Sequence, residues 1–182
     1  KVFEQAINHL LPSHGGAFAI GSRRTHRALA VAYASRGYLV CNVDYRLAPK
    51  NPFPAALEDA CAAWLWASEC VGDYGGDVQC MALAGESAGA NLALALTLAC
   101  CTPRPEPYAA HLFERGLRPV AALLYCGFLQ TSDPTGQAPR RVGAEELLQG
   151  QRLRQAKRAP TVQTEDAVGL LRQGRLLAML RA

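Results

Sequence analysis

The stretch Val78-Gln79-Cys80-Met81-Ala82-Leu83-Ala84-Gly85-Glu86-Ser87-Ala88-Gly89-Ala90-Asn91-Leu92 decides the fold. Val78–Ala84 is an apolar run of strand length, and Ala88 to about Cys101 is a longer run of helix formers. Between them Gly85–Gly89 reads G-x-S-x-G. A serine there needs neighbours without side chains, because the chain must reverse sharply from strand into helix and lift the hydroxyl above the sheet edge. Ser87 is therefore a candidate nucleophile.

Outward from this turn the same alternation repeats. Arg24–Ser35 is expected to be a helix stopped by Gly37, and Tyr38–Val43 a short strand buried on both faces. Pro54 supplies an N1-type start for a helix over Ala55–Cys70, in which Leu57, Cys61 and Trp64 recur at helical spacing. Turn residues Gly72–Asp77 end it. Downstream come a proline-broken loop, Thr102–Pro107, and a third apolar strand, Val120–Tyr125. Strand, helix, strand, helix, strand implies right-handed crossovers and a parallel sheet covered on both faces, hence an α/β fold.

The chain has 182 residues, 50% apolar, 19% charged and 7% aromatic, enough for one domain with a real core. No run is long and uncharged enough to span a bilayer. The net charge of +4 is unevenly placed: residues 1–139 hold 10 basic and 11 acidic side chains, residues 140–182 hold 9 and 4. A nucleic-acid surface would spread that charge over the folded part and interleave aromatics, yet residues 129–182 contain no Phe, Tyr or Trp, so no nucleic-acid partner is expected. Residues 1–128 are read as a partial α/β domain, and 129–182 as a divergent basic tail, disordered or helical. Two helices are expected in it, near Ala144–Lys157 and Glu165–Leu180, with Gly150, Gly169 and Gly174 each costing about 1 kcal/mol.

The seven cysteines (41, 61, 70, 80, 100, 101 and 126) are odd in number and include no C-x-x-C pair. Most fall in apolar segments, so buried free thiols in a reducing, cytoplasmic compartment are expected, and no metal site. The N-terminal KVFEQAINHLLP has neither a clean apolar core nor the cleavage site of a signal peptide, and it lacks an initiator Met.

A second chemical feature is His14-Gly15-Gly16-Ala17, ahead of the first helix. Acyl transfer builds negative charge on a carbonyl oxygen, and fixed backbone N–H groups stabilise it, each worth about 3 kcal/mol. Glycines let the backbone come close enough. The N–H of Ala88, at the start of the helix after the turn, would complete such a hole.

With Asp44-Tyr45-Arg46-Leu47-Ala48-Pro49 and Pro52-Phe53-Pro54-Ala55-Ala56-Leu57-Glu58-Asp59-Ala60 between them, these two motifs resemble the hormone-sensitive-lipase family of α/β-hydrolases, over roughly residues 14–128. The resemblance implies a mostly parallel sheet flanked by helices and a serine carboxylesterase-like hydrolase, free of cofactor, acting on short or medium acyl esters. Ser87 would be the nucleophile, and Gly15, Gly16, Ala17 and Ala88 the oxyanion hole. His14 would shape the loop, and Asp44, Tyr45 and Arg46 would brace it as a buried polar network. Ala17 stands where the family more often has glycine, and Glu86 where Asp is frequent.

A serine of this kind needs a general base oriented by a carboxylate, in the chain order Ser, acid, His. After Ser87 the one histidine is His111, ahead of the third strand and read as a solvated loop residue. Asp133 follows directly on that strand, and Glu165 and Asp166 have no histidine downstream. The expected state is therefore a truncated sheet with acid and histidine absent, and a poorly active form. The alternatives are a non-catalytic relative that keeps the acyl pocket for a small-molecule ligand, a base from another residue, or an interaction module whose basic tail docks an acidic partner.

Overall fold

The computed structural model describes residues 9–127 and residue 129. The rest of the tail from residue 130, with its two expected helices and with Asp133, Glu165 and Asp166, lies outside them. Four strands, β1 (His9–Ser13), β2 (Leu39–Val40), β3 (Met81–Glu86) and β4 (Ala121–Tyr125), form one parallel sheet in the order β2-β1-β3-β4. The helices are α1 (Arg27–Ala34), α2 (Ala55–Cys70), α3 (Ala88–Cys101) and α4 (Pro107–Arg115). None is long and apolar enough to cross a membrane.

Side-chain alternation on the central strands splits the core in two. Leu83, Ala122 and Leu124 face one side, where α3 lies across β1, β3 and β4 with α2 and α4 packed outside it. Ala82, Ala84 and Ala121 face the other side, beside Tyr33 of α1. The helix α3 is apolar nearly all round, as a helix enclosed on every side must be, and its buried Thr97 spends its hydroxyl proton on the Ala93 carbonyl at 2.8 Å. From α2, Leu57, Ala60, Cys61, Trp64 and Ala67 turn inward at helical spacing. Trp64, 1% exposed, donates its ring N–H to the Leu117 carbonyl at 3.3 Å.

Three elements differ from the sequence expectation in their bounds and one helix is additional, each for a local reason. The strand expected over Tyr38–Val43 shrinks to Leu39–Val40 and is half-buried, because it pairs with β1 alone; Val43 adds only an isolated bridge to Ser13. Asp77 accepts the Gln79 N–H at 2.8 Å and winds Val78–Cys80 into a 3₁₀ turn, so β3 begins at Met81. Thr25 folds back on the Ser22 carbonyl and delays α1 to Arg27. After the loop around Pro103–Pro105 the chain forms α4, with Pro107 at its first turn and Gly116 closing it in the left-handed region.

Candidate active site

In an open parallel sheet, ligands bind beyond the carboxyl ends of the strands. Here β1 and β3 are neighbours with Ser13 opposite Gly85, so the His14 loop and the Ser87 turn leave the sheet side by side. Two glycines make that proximity possible. A Cβ on Gly89 would stand 2.1 Å from the Ser13 carbonyl oxygen and 2.8 Å from that of His14, and one on Gly85 would stand 2.1 Å from the Gly89 carbonyl oxygen.

Ser87 has φ +54° and ψ −112°, far from the extended backbone of a helix-capping serine, and its side chain makes no capping bond to α3. Its N–H donates to the Tyr125 carbonyl at 2.8 Å, tying the turn to the end of β4, and its carbonyl accepts from Ala90 and Asn91. Ser87 is half-buried at the carboxyl end of β3, and the following Ala88 is buried.

The loop is shaped from below by His14, which is 1% exposed. Its Nδ1 lies 2.8 Å from the Gly15 carbonyl oxygen, and its ring stacks on Tyr45 at 4.1 Å. The Tyr45 hydroxyl donates to the His14 carbonyl at 2.8 Å, and burial pushes that phenol well above its ordinary pKa, keeping it a donor. Gly16 has φ +113° and its carbonyl accepts from Ala19 and Ile20. Ala17 and Phe18 follow with φ +50° and +61°, so Ala17 occupies backbone that glycine would fill without strain. Gly15 is buried and its N–H is directed at Nε2 of His26, 3.4 Å away.

Tyr45 thus braces the loop, whereas Asp44 and Arg46 are exposed rather than part of a buried network. Asp44 holds Arg23, and Arg46 forks onto Asp59 at 2.9 and 3.0 Å and reaches Glu58 at 2.9 Å, pinning the segment to the first turns of α2. His111 stands exposed on α4, not in a loop. The element order places α4 between the far end of α3 and the start of β4, at the end of the strands opposite the Ser87 turn. Among the described residues, no three His, Cys, Asp or Glu side chains are grouped to hold a metal.

Sequence reasoning missed His26. Its Nε2 lies 2.7 Å from Oε2 of Glu86, the residue before Ser87, and its Nδ1 lies 3.0 Å from the Thr25 hydroxyl. Only the Thr-His pair ahead of a helix hinted at it, since no periodicity links residues sixty apart.

A family model described as the alpha/beta hydrolase fold matches residues 10–168, past the change of composition at residue 128. Carboxylesterase NlhH of Mycobacterium tuberculosis (strain ATCC 25618 / H37Rv) is 44% identical over 80 residues, which are 43% of this chain and 25% of that protein. The solved structure titled Bacterial Heroin Esterase superposes with a TM-score of 0.60 and 31% identity, over 69% of this chain and 36% of that one. A hyperthermophilic esterase from the archaeon Pyrobaculum calidifontis gives 0.57 and 33%, over 69% and 37%. The chain spans about a quarter of the length of the curated relatives it matches.

Proposed function

We propose, from the premise that the chain belongs to the alpha/beta hydrolase family, that it carries the nucleophile and oxyanion half of a carboxylic ester hydrolase for short or medium acyl esters. Ser87 attacks the acyl carbonyl, giving its proton to water while the alcohol departs protonated by water, and the amides of Gly16, Ala17 and Ala88, with Gly15 holding the loop, receive the charge that develops on oxygen. The observation that carries the reading is the backbone of Ser87: a serine at a helix start, in a strained conformation, whose hydroxyl is not spent on capping. The esterase names of the relatives support the substrate class.

The sequence has one histidine after Ser87, His111, on a helix remote from the turn, so the chain as it stands is poorly active. Preorganised oxyanion donors and binding alone sustain about 10³ to 10⁴ over water. The test combines p-nitrophenyl acetate and butyrate hydrolysis with overnight labelling by a fluorophosphonate and peptide mapping. Acceleration in that range, with label at Ser87 that Ser87→Ala abolishes, is the expected result. No acceleration and no label would end the hydrolase reading. Turnover of about 10 s⁻¹, the ordinary enzyme median, would overturn the poor activity. Saturable ester binding without turnover would favour a ligand-binding relative.

A further inference from the structure

We propose that His26 and Glu86 are positioning residues that lock the oxyanion loop to the serine turn; the inference rests on the reading above. Glu86 immediately precedes Ser87, and Gly15 immediately precedes Gly16. The carboxylate of Glu86 lies directly under Gly15, whose Cβ, if present, would stand 3.0 Å from Oε2 and 3.1 Å from the Glu86 carbonyl oxygen. His26, at the start of α1, closes the arrangement from the third side: Nε2 is 2.7 Å from Oε2, and the Gly15 nitrogen lies 3.4 Å from the same ring atom.

The ring itself is fixed. The Thr25 hydroxyl donates to the Ser22 carbonyl at 2.7 Å, which leaves it to accept from His26 Nδ1 at 3.0 Å. Nδ1 is thus held against the Thr25 oxygen and Nε2 against the Glu86 carboxylate, and the imidazole can neither rotate nor slide without losing one of these contacts. A carboxylate on the turn is thus clamped to an imidazole on α1, with the loop glycine between them. What the clamp sets is the separation of the Gly16 and Ala17 amides from Ser87. It touches no reacting atom.

A donor misplaced by about 1 Å costs on the order of 10²-fold in rate. Oxyanion donors act in the transition state, so the loss falls on kcat rather than KM. In the full chain, His26→Ala and Glu86→Ala should each lower the acceleration of p-nitrophenyl butyrate hydrolysis by about 10- to 100-fold with KM within about twofold. The double variant should be no worse than either single one, because one clamp is broken once. His26→Gln, whose amide nitrogen can stand where Nε2 stands, should recover most of the loss.

Backbone ¹⁵N order parameters test the same clamp without catalysis. In both alanine variants those of Gly16 and Ala17 should fall from about 0.85 toward 0.6, while those of β3 and α3 stay unchanged. Unchanged kcat, additive losses in the double variant, or unchanged order parameters would overturn the proposal. If the parent chain itself gives no acceleration, the hydrolase reading has failed, and the order parameters alone decide whether the clamp exists.

Discussion

A non-glycine residue held where Ser87 sits gives up about 1–3 kcal/mol relative to ordinary backbone regions. Ser87→Gly releases that strain but adds about 0.5–1 kcal/mol of chain entropy to be lost on folding. The expected net effect is a gain of about 1 kcal/mol in urea unfolding, with complete loss of fluorophosphonate labelling. A destabilised glycine variant would show that the serine side chain contributes packing that outweighs its backbone cost. Gly89 behaves oppositely. Alanine is ordinarily better than glycine in a helix by about 1 kcal/mol, yet here the new methyl would stand against backbone carbonyls of Ser13 and His14 that have no free rotor to yield. Overpacking costs of about 1–3 kcal/mol then win. Gly89→Ala should destabilise the chain and loosen β1 from α3, whereas Gly72→Ala, with nothing within 4 Å, should stay within about 0.5 kcal/mol. Parallel urea titrations of the two variants separate space from conformation.

Among elements, the contact of α2 with α3 titrates in alkali. Burial pushes the Cys61 thiol up to about 12, and Cys100, electrostatically coupled to it from α3, is also raised by burial. In the unfolded chain these thiols ionise near pH 8.5. Above that pH the unfolded state binds fewer protons than the folded one, so their contribution is complete below about 8.5 and is lost as pH rises toward 12. Each thiol contributes up to about 1.4 kcal/mol per pH unit in that window. Urea midpoints at pH 8, 9 and 10 should fall steadily, and Cys61→Ala should flatten the fall; an unchanged slope would mean that the thiol is hydrated in the fold. The same two helices show what a sequence reveals. Their limits, Ala55–Cys70 and Ala88–Cys101, coincide with the expectation because long apolar periodicity and burial agree. The start of β3 was hidden because one side chain, Asp77, takes a backbone N–H out of the strand. The helix α4 was written in Pro107 and Gly116 but obscured by the prolines ahead of it. At the site, the serine turn and glycine loop were legible as local strings, while the His26–Glu86 pair was not, since it exists only once the sheet has brought residues sixty apart together.

The described residues are distributed asymmetrically across the sheet. On one face Leu83, Trp64, Leu94, Leu96, Leu98 and Leu112 are almost completely buried. On the other, α1 buries none of its residues, with Leu29 and Val31 exposed. It is held there by Tyr33, edge-on to Tyr38 at 6.0 Å and hydroxyl to hydroxyl with Tyr125 at 2.6 Å. Local opening costs least where few apolar contacts must be broken. Native-state hydrogen exchange should therefore sort the amides into two classes. Those of β3, β4 and α3 exchange only through global unfolding, and those of α1 and β2 through an opening of lower free energy that leaves the first class protected. Tyr33→Phe removes one hydrogen bond, worth about 1 kcal/mol. It should speed exchange in α1 about fivefold and leave α3 within error whenever α1 opens independently. Equal acceleration in both would mean that the thin face and the thick face unfold as one unit, and that the geometry of the serine turn depends on α1 for its stability as well as for the placement of His26.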